Sequence, residues 1–280
     1  MEKDIAIAVK TQYEALQRIP VNREDEDAVF DRLYFFFVVK SGYAKQAKAI
    51  LGDGSYTAIL ERYQQELEEA LLYLKQQRKK LHRSIFQRSQ TLFHYLGLCY
   101  LKFLEGKPVE VDLHADEIAF LNQVLGYSYI YDYMVTFWGR KLRLPMEGVK
   151  MEPKTEEEIG YVNTHFFLTG TDYLTHSMTE ENEAALKQQI PYVLEKQQMD
   201  LMAELLWGLS FYRSDAPELE LMVEALLQEA KHPNYSKTRT SIHARYASIC
   251  ALLAVQERMD DTDSQRGMDI SNRGSCRSAS

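Results

Sequence analysis

The chain has 280 residues, 45% hydrophobic and 26% charged, an ordinary globular balance with room for one large domain or two small ones. Only 13 glycines and 7 prolines punctuate it, which excludes a collagen-like or wholly disordered chain. With 33 basic against 41 acidic side chains the net charge is −8, the wrong sign for a general phosphate-backbone binder, so no nucleic-acid partner is expected.

The N-terminus, Met1 to Asp4, mixes charges, and the apolar stretch Ile5 to Val9 is too short for a signal-peptide core. The longest strongly apolar run, Leu33 to Val39, falls far short of the ~20 residues that span a bilayer. These features predict a cytoplasmic chain with no membrane partner. Cys99, Cys250 and Cys276 are odd in number and widely spaced, so neither a disulfide framework nor a zinc site is expected from them.

Helical periodicity dominates in chain order. Apolar Ile5, Val9, Tyr13 and Leu16 recur every three or four residues over 2–18. Segment 25–41 opens on acids and ends near Gly42, the polarity of a helix. Gly52 to Ser55 reads as a turn, and a long helix is predicted from Tyr56 to about Arg88. Its late bases, from Lys75 to Arg88, follow the early acids Glu66, Glu68 and Glu69, the pattern of a solvated, dipole-matched helix face. Helices follow over 86–104 and 116–138, with Gly126 a weak point and at most a short extended piece near 108–113. The aromatic series Tyr127, Tyr129, Tyr131, Tyr133, Phe137 and Trp138 reads as core and packing surface.

The stretch 139–153 holds two prolines, two glycines and no apolar period, and is the clearest internal break. Helices are predicted after it at about 155–177, 180–196, 199–213, 217–231 and 238–257, with Pro191 splitting or kinking the second. From 259 to 280 the composition turns polar, and a disordered tail is expected. The fold class is therefore all-α: one helical domain over 1–258, built of helical hairpins as an α/α toroid or an α-solenoid.

The residues that bear chemistry gather in the second half. His165, Asp172 and His176 are spaced seven and four apart, which places them on one face of a continuous helix. Asp200 and Glu204 stack four apart on the otherwise apolar helix MDLMAELLWGLSF, and His243 opens the last helix beside Arg245. A carboxylate in an apolar wall, paired with an imidazole, suits general acid–base work. His165, Asp172, Asp200, Glu204 and His243 are thus the candidate catalytic residues. The competing reading is structural polar packing, with Asp200 capping its helix and Glu204 pairing with Arg245 or bonding a neighbouring hydroxyl. No HExxH or comparable spacing exists, so no metal ligand and no cofactor-binding residue is assigned, and the cofactor stays open. The acidic run at Asp260, Asp261 and Asp263 lacks a second acidic motif and is set aside.

The blocks THFFLTGTDYLTH, MDLMAELLWGLSF and HARYASICALLA resemble the pattern of an uncharacterised bacterial all-helical family whose members occur near natural-product biosynthesis genes. The resemblance covers roughly 160–255. It implies an α/α toroid, carries the same five positions, and supplies no substrate. Two functions follow as expectations. One is a helical protein with a polar pocket, an enzyme or accessory protein of small-molecule or peptide biosynthesis. The other is a noncatalytic helical scaffold that binds a protein or peptide partner.

Overall fold

The computed structural model describes residues 1–19, 21–22, 24–80, 84–124, 126, 128–175, 180–231 and 239–275, with the side chains of 180, 239–241 and 262–275 left aside. The fold is all-α, with no strand among the described residues; the 108–113 segment is irregular. No helix among them is long and apolar enough to cross a membrane.

The first half comprises α1 (Glu2–Gln17), α2 (Glu26–Gly42), α3 (Ala44–Leu51), α4 (Asp53–Gln77), α5 (Ile85–Leu104), α6 (Ala115–Val124) and α7 (Tyr129–Lys141). The second half comprises α8 (Glu156–Gly170), α9 (Glu180–Lys187), α10 (Ile190–Lys196), α11 (Met199–Phe211), α12 (Leu219–Glu229) and α13 (Arg239–Ser275).

Local chemistry sets the boundaries. Asp25 caps α2 by accepting the Ala28 backbone N–H. Reciprocal capping boxes open α5 (Ser84 with Gln87) and α8 (Thr155 with Glu158). Gly52 adopts φ +86, so the expected turn shrinks to that residue and Asp53 to Ser55 already belong to α4. The long helix predicted to Arg88 ends instead at Gln77, before the Ser84 box restarts the chain. Arg78 is buried rather than solvated. Its guanidinium bonds Glu117 at 2.7 Å and lies 3.2 Å from Asp112. Gly126, at φ +98, divides the predicted 116–138 helix into α6 and α7. Pro191 stands in the first turn of α10, where its missing N–H costs nothing, and so separates α9 from α10.

One cluster of buried apolar residues runs from Ile5 to Val255. At its centre α11 is buried over Leu201–Ser210 and packs on α8, α9, α10, α12 and α13. α13 lies along α11 and also meets α1, α2 and α3, which ties the two ends of the chain together. The irregular stretch between α7 and α8 is tied back as well. Asn122 donates to the Pro145 carbonyl and accepts from the Glu147 N–H.

The tail departs from expectation. Met259 packs on the core, Asp260 lies 3.5 Å from Lys45, and Asp261 pairs with Arg213. The helix α13 continues to Ser275, so disorder does not begin at 259. Residues 276–280, Cys276 among them, lie outside the described residues. Cys99 and Cys250 are free and buried, as small hydrophobes.

Candidate functional site

Six helices wall one cavity of about 390 Å³, and four of them supply its charged groups and Tyr161. Helix α2 supplies Asp31, α8 supplies Tyr161 and His165, α11 supplies Asp200 and Glu204, and α13 supplies His243. The close approach of α8 to α11 depends on Gly160. A Cβ there would stand 2.8 Å from Leu201 Cδ2, closer than packed atoms tolerate.

Glu204 is the centre of the polar end, with a side chain 3% exposed. Its Oε2 accepts the Thr164 hydroxyl at 2.5 Å and lies 3.7 Å from His165 Nδ1. Its Oε1 lies 3.3 Å from His243 Nε2. Asp200 Oδ2 accepts the Tyr161 hydroxyl at 3.1 Å, while Oδ1 lies 3.8 Å from His243 Nε2 and has no hydrogen-bond partner. Asp31 Oδ1 is 3.3 Å from the other ring nitrogen of His243, Nδ1. His165 donates from Nδ1 to the Tyr161 carbonyl at 2.8 Å, which fixes its tautomer. His243 stands at the mouth, enclosed by acids yet with a side chain 39% exposed.

The electrostatics follow from this crowding. Burial alone would lower the His243 pKa, but Asp31, Asp200 and Glu204 together hold it well above the ordinary imidazole value. Burial raises the Asp200 carboxyl. His243 pulls it back and the Glu204 charge pushes it further up. Burial would raise Glu204 too, but His165, His243 and the Thr164 hydroxyl bring it below its usual value. Burial, with Asp200 and Glu204 beside it, raises the Tyr161 phenol.

The rest of the cavity is aromatic and aliphatic. Phe30, Tyr34, Phe93, Trp138, Tyr173, Trp207, Tyr246 and Cys250 are among its lining residues. Their rings contact one another, with Tyr34 and Tyr173 centroids 4.8 Å apart and Phe93 and Trp138 4.9 Å apart. Trp138, expected as core and packing surface, is also cavity wall.

His165, Asp200, Glu204 and His243 lie together on the cavity wall. Asp172 does not join them. α8 ends at Gly170, and Asp172, Tyr173 and Leu174 all take positive φ, so the seven-residue spacing no longer keeps Asp172 on the His165 face. Its carboxylate instead accepts the Tyr100 hydroxyl and pairs with Lys141 at 3.0 Å, outside the cavity lining. The left-handed turn brings Tyr173, not Asp172, to the cavity. His176 lies outside the described residues. The cap expected of Asp200 is absent, because Gln198 holds the N-cap position. Of the two partners expected for Glu204 the structure shows the hydroxyl, from Thr164, and not Arg245; His165 and His243 lie beside it as well. Asp31 and Tyr161 were not singled out from sequence. Asp31 gave a weaker signal than Asp200, because Arg32 follows it directly and offers it an ordinary charge neighbour.

These groups supply carboxylates and imidazoles within hydrogen-bond reach at one end of an apolar cavity, the equipment of proton transfer on a bound molecule. Comparisons with protein-family models, with curated proteins and with solved structures found no match.

Proposed function

We propose that the chain binds a small molecule in this cavity, as an enzyme or accessory protein of small-molecule or peptide biosynthesis. One observation carries the reading: His165, Asp200, Glu204 and His243, from three separate helices, converge on one end of a cavity otherwise walled by aromatic and aliphatic side chains. Structural polar packing alone needs no cavity beside the paired charges. Three carboxylates, from Asp31, Asp200 and Glu204, face two imidazoles. The polar end thus favours a cationic or hydrogen-bond-donating group, and the rings favour an apolar or aromatic body. Glu204 and the histidines are the groups placed to move a proton at that polar end. The biosynthetic setting rests on the resemblance over 160–255 alone.

The scaffold alternative has weaker support. The large exposed apolar side chains, among them Ile7, Leu72, Phe103, Phe166 and Leu221, are distributed over α1, α4, α5, α8 and α12.

The test uses the chain's own reporters. Both of its tryptophans, Trp138 and Trp207, line the cavity. Intrinsic fluorescence should change on titration with aryl- or alkylamines and stay unchanged with carboxylate analogues of the same size. Glu204→Gln should melt within a few degrees of the parent chain and lose the response. If no amine perturbs the tryptophans, and Glu204→Gln merely lowers the melting temperature, the cluster is structural.

A further inference from the structure

The three acids and His243 are arranged with an order that polar packing alone does not require. One atom from each of Asp200, Glu204 and His243 lies within 4.8 Å of the others. His243 Nε2 is 3.3 Å from Glu204 Oε1 and 3.8 Å from Asp200 Oδ1. Ligand atoms that share a tetrahedral ion at about 2.0–2.2 Å stand about 3.3–3.6 Å apart. Small side-chain rotations would therefore bring these three onto one centre.

We propose that Asp200, Glu204 and His243 bind a single divalent transition-metal ion such as Zn²⁺ or Mn²⁺. Two carboxylate oxygens with one imidazole suit a borderline ion better than Mg²⁺ or Ca²⁺, which prefer all-oxygen shells. The site is shared with the function proposed above, but its occupation by metal requires no organic ligand.

Two buried carboxylate oxygens without partners, one of them outside the three ligands, add to the spacing. Asp200 Oδ1, the oxygen that faces His243, is buried without a hydrogen-bond partner. Asp31, whose side chain is only 10% exposed, places Oδ1 3.3 Å from His243 Nδ1 and leaves Oδ2 buried and unpartnered. A carboxylate on the distal nitrogen of a histidine is the arrangement that fixes the tautomer of a metal-binding imidazole and presents its other lone pair. Each proposed ligand has such an outer partner on its non-ligating atom. Tyr161 donates to Asp200 Oδ2, Thr164 donates to Glu204 Oε2, and Asp31 faces His243 Nδ1. The adjoining cavity leaves space for a further coordination position, the mark of a working rather than a structural ion.

The spacing explains why the sequence shows no metal motif. Asp200 and Glu204 are neighbours on successive turns of α11, but the third group arrives from α13. No short pattern joins them.

The experiment strips the full chain with a chelator and dialyses it against Zn²⁺ or Mn²⁺ alone, then counts metal per chain by elemental mass spectrometry. One ion per chain is expected. Asp200→Asn and His243→Ala should each weaken binding at least tenfold. Asp31→Asn, a positioning change, should weaken it about 10–100-fold while keeping one ion per chain at saturation. Bound Co²⁺ should give visible ligand-field bands that His243→Ala alters or removes. Circular dichroism identifies any variant that fails to fold. His243→Ala, at the half-open mouth, is the variant least exposed to that failure. No retained ion in the parent chain, or equal retention in folded Asp200→Asn and His243→Ala, overturns the proposal. Titration of the tryptophans with amines in excess chelator tests the cavity separately, so the two readings fail on different measurements.

Discussion

Glu204 Oε1 lies 3.3 Å from His243 Nε2, although 39 residues separate the two in the chain. The contact depends on α13 lying along α11, and it puts an anion 3% exposed beside an imidazole at the cavity mouth. Such an anion must be satisfied on both oxygens, and the Thr164 hydroxyl serves the second at 2.5 Å. Thr164→Val keeps the shape and removes that donor. It should cost about 1–3 kcal/mol in urea unfolding, the penalty of leaving a buried acceptor unpaired. An unchanged midpoint would show that Thr164 does not hold the carboxylate.

Gly160 sets how closely α8 approaches α11. Alanine gains up to ~1 kcal/mol of helix propensity over glycine, but its Cβ would stand 2.8 Å from Leu201 Cδ2, and Leu201 is fully buried. The two effects oppose, so Gly160→Ala should lie within about 1 kcal/mol of the parent. Gly160→Val adds bulk with no such gain and should destabilise by about 1–3 kcal/mol. Because Tyr161 and His165 ride on the same helix, Val should also weaken the cavity's response to ligands. Calorimetry and tryptophan fluorescence on the two variants check both halves.

The all-α class was legible because 3.6-residue periodicity survives in every long segment, and the α11 acids were legible because charge on an apolar helix is rare. Boundaries were less legible. The Ser84 capping box and the left-handed Gly126 act over a few residues and leave the wider periodicity unbroken. Asp172 was misplaced for a related reason: spacing arguments assume a continuous helix, and three consecutive positive-φ residues end that assumption. Asp31 was missed because only tertiary packing brings α2 against His243.

A second buried imidazole carries a pH signature. His94, 2% exposed on α5, has Nε2 2.9 Å from Asp27 Oδ1 and Nδ1 3.7 Å from Glu26 Oε2. Burial alone would lower its pKa, but the two α2 carboxylates raise it above the usual value. The folded-state pKa therefore exceeds the unfolded one. The stability it contributes is complete below about pH 6.5 and fades as pH rises through the raised folded value. His94→Gln should narrow the parent chain's stability advantage as pH climbs from about 6 to 9, with the largest deficit at the acid end. Urea midpoints of both chains at several pH values check this; a deficit that does not change with pH would mean that His94 is neutral in the folded chain.

The C-terminus divides into a docked part and a remainder. Met259 packs on the core, Asp260 reaches Lys45 and the Gln46 amide, and Asp261 pairs with Arg213. Exposed ion pairs each contribute about 0–1 kcal/mol, so Met259 is the larger contributor. Beyond it, residues 262–280 contain only Met268 and Ile270 as sizeable apolar groups, so they have little apolar surface to bury against the core. A chain ending at Asp261 should therefore melt with the full-length chain. A chain ending at Arg258 loses Met259 and both acids, and should melt lower by about 2–4 °C for each kcal/mol removed. Scanning calorimetry of the three lengths separates the contributions. A large drop on ending at Asp261 would show that the distal part of α13 docks, and equal melting of all three would show that the contacts of Met259, Asp260 and Asp261 add nothing.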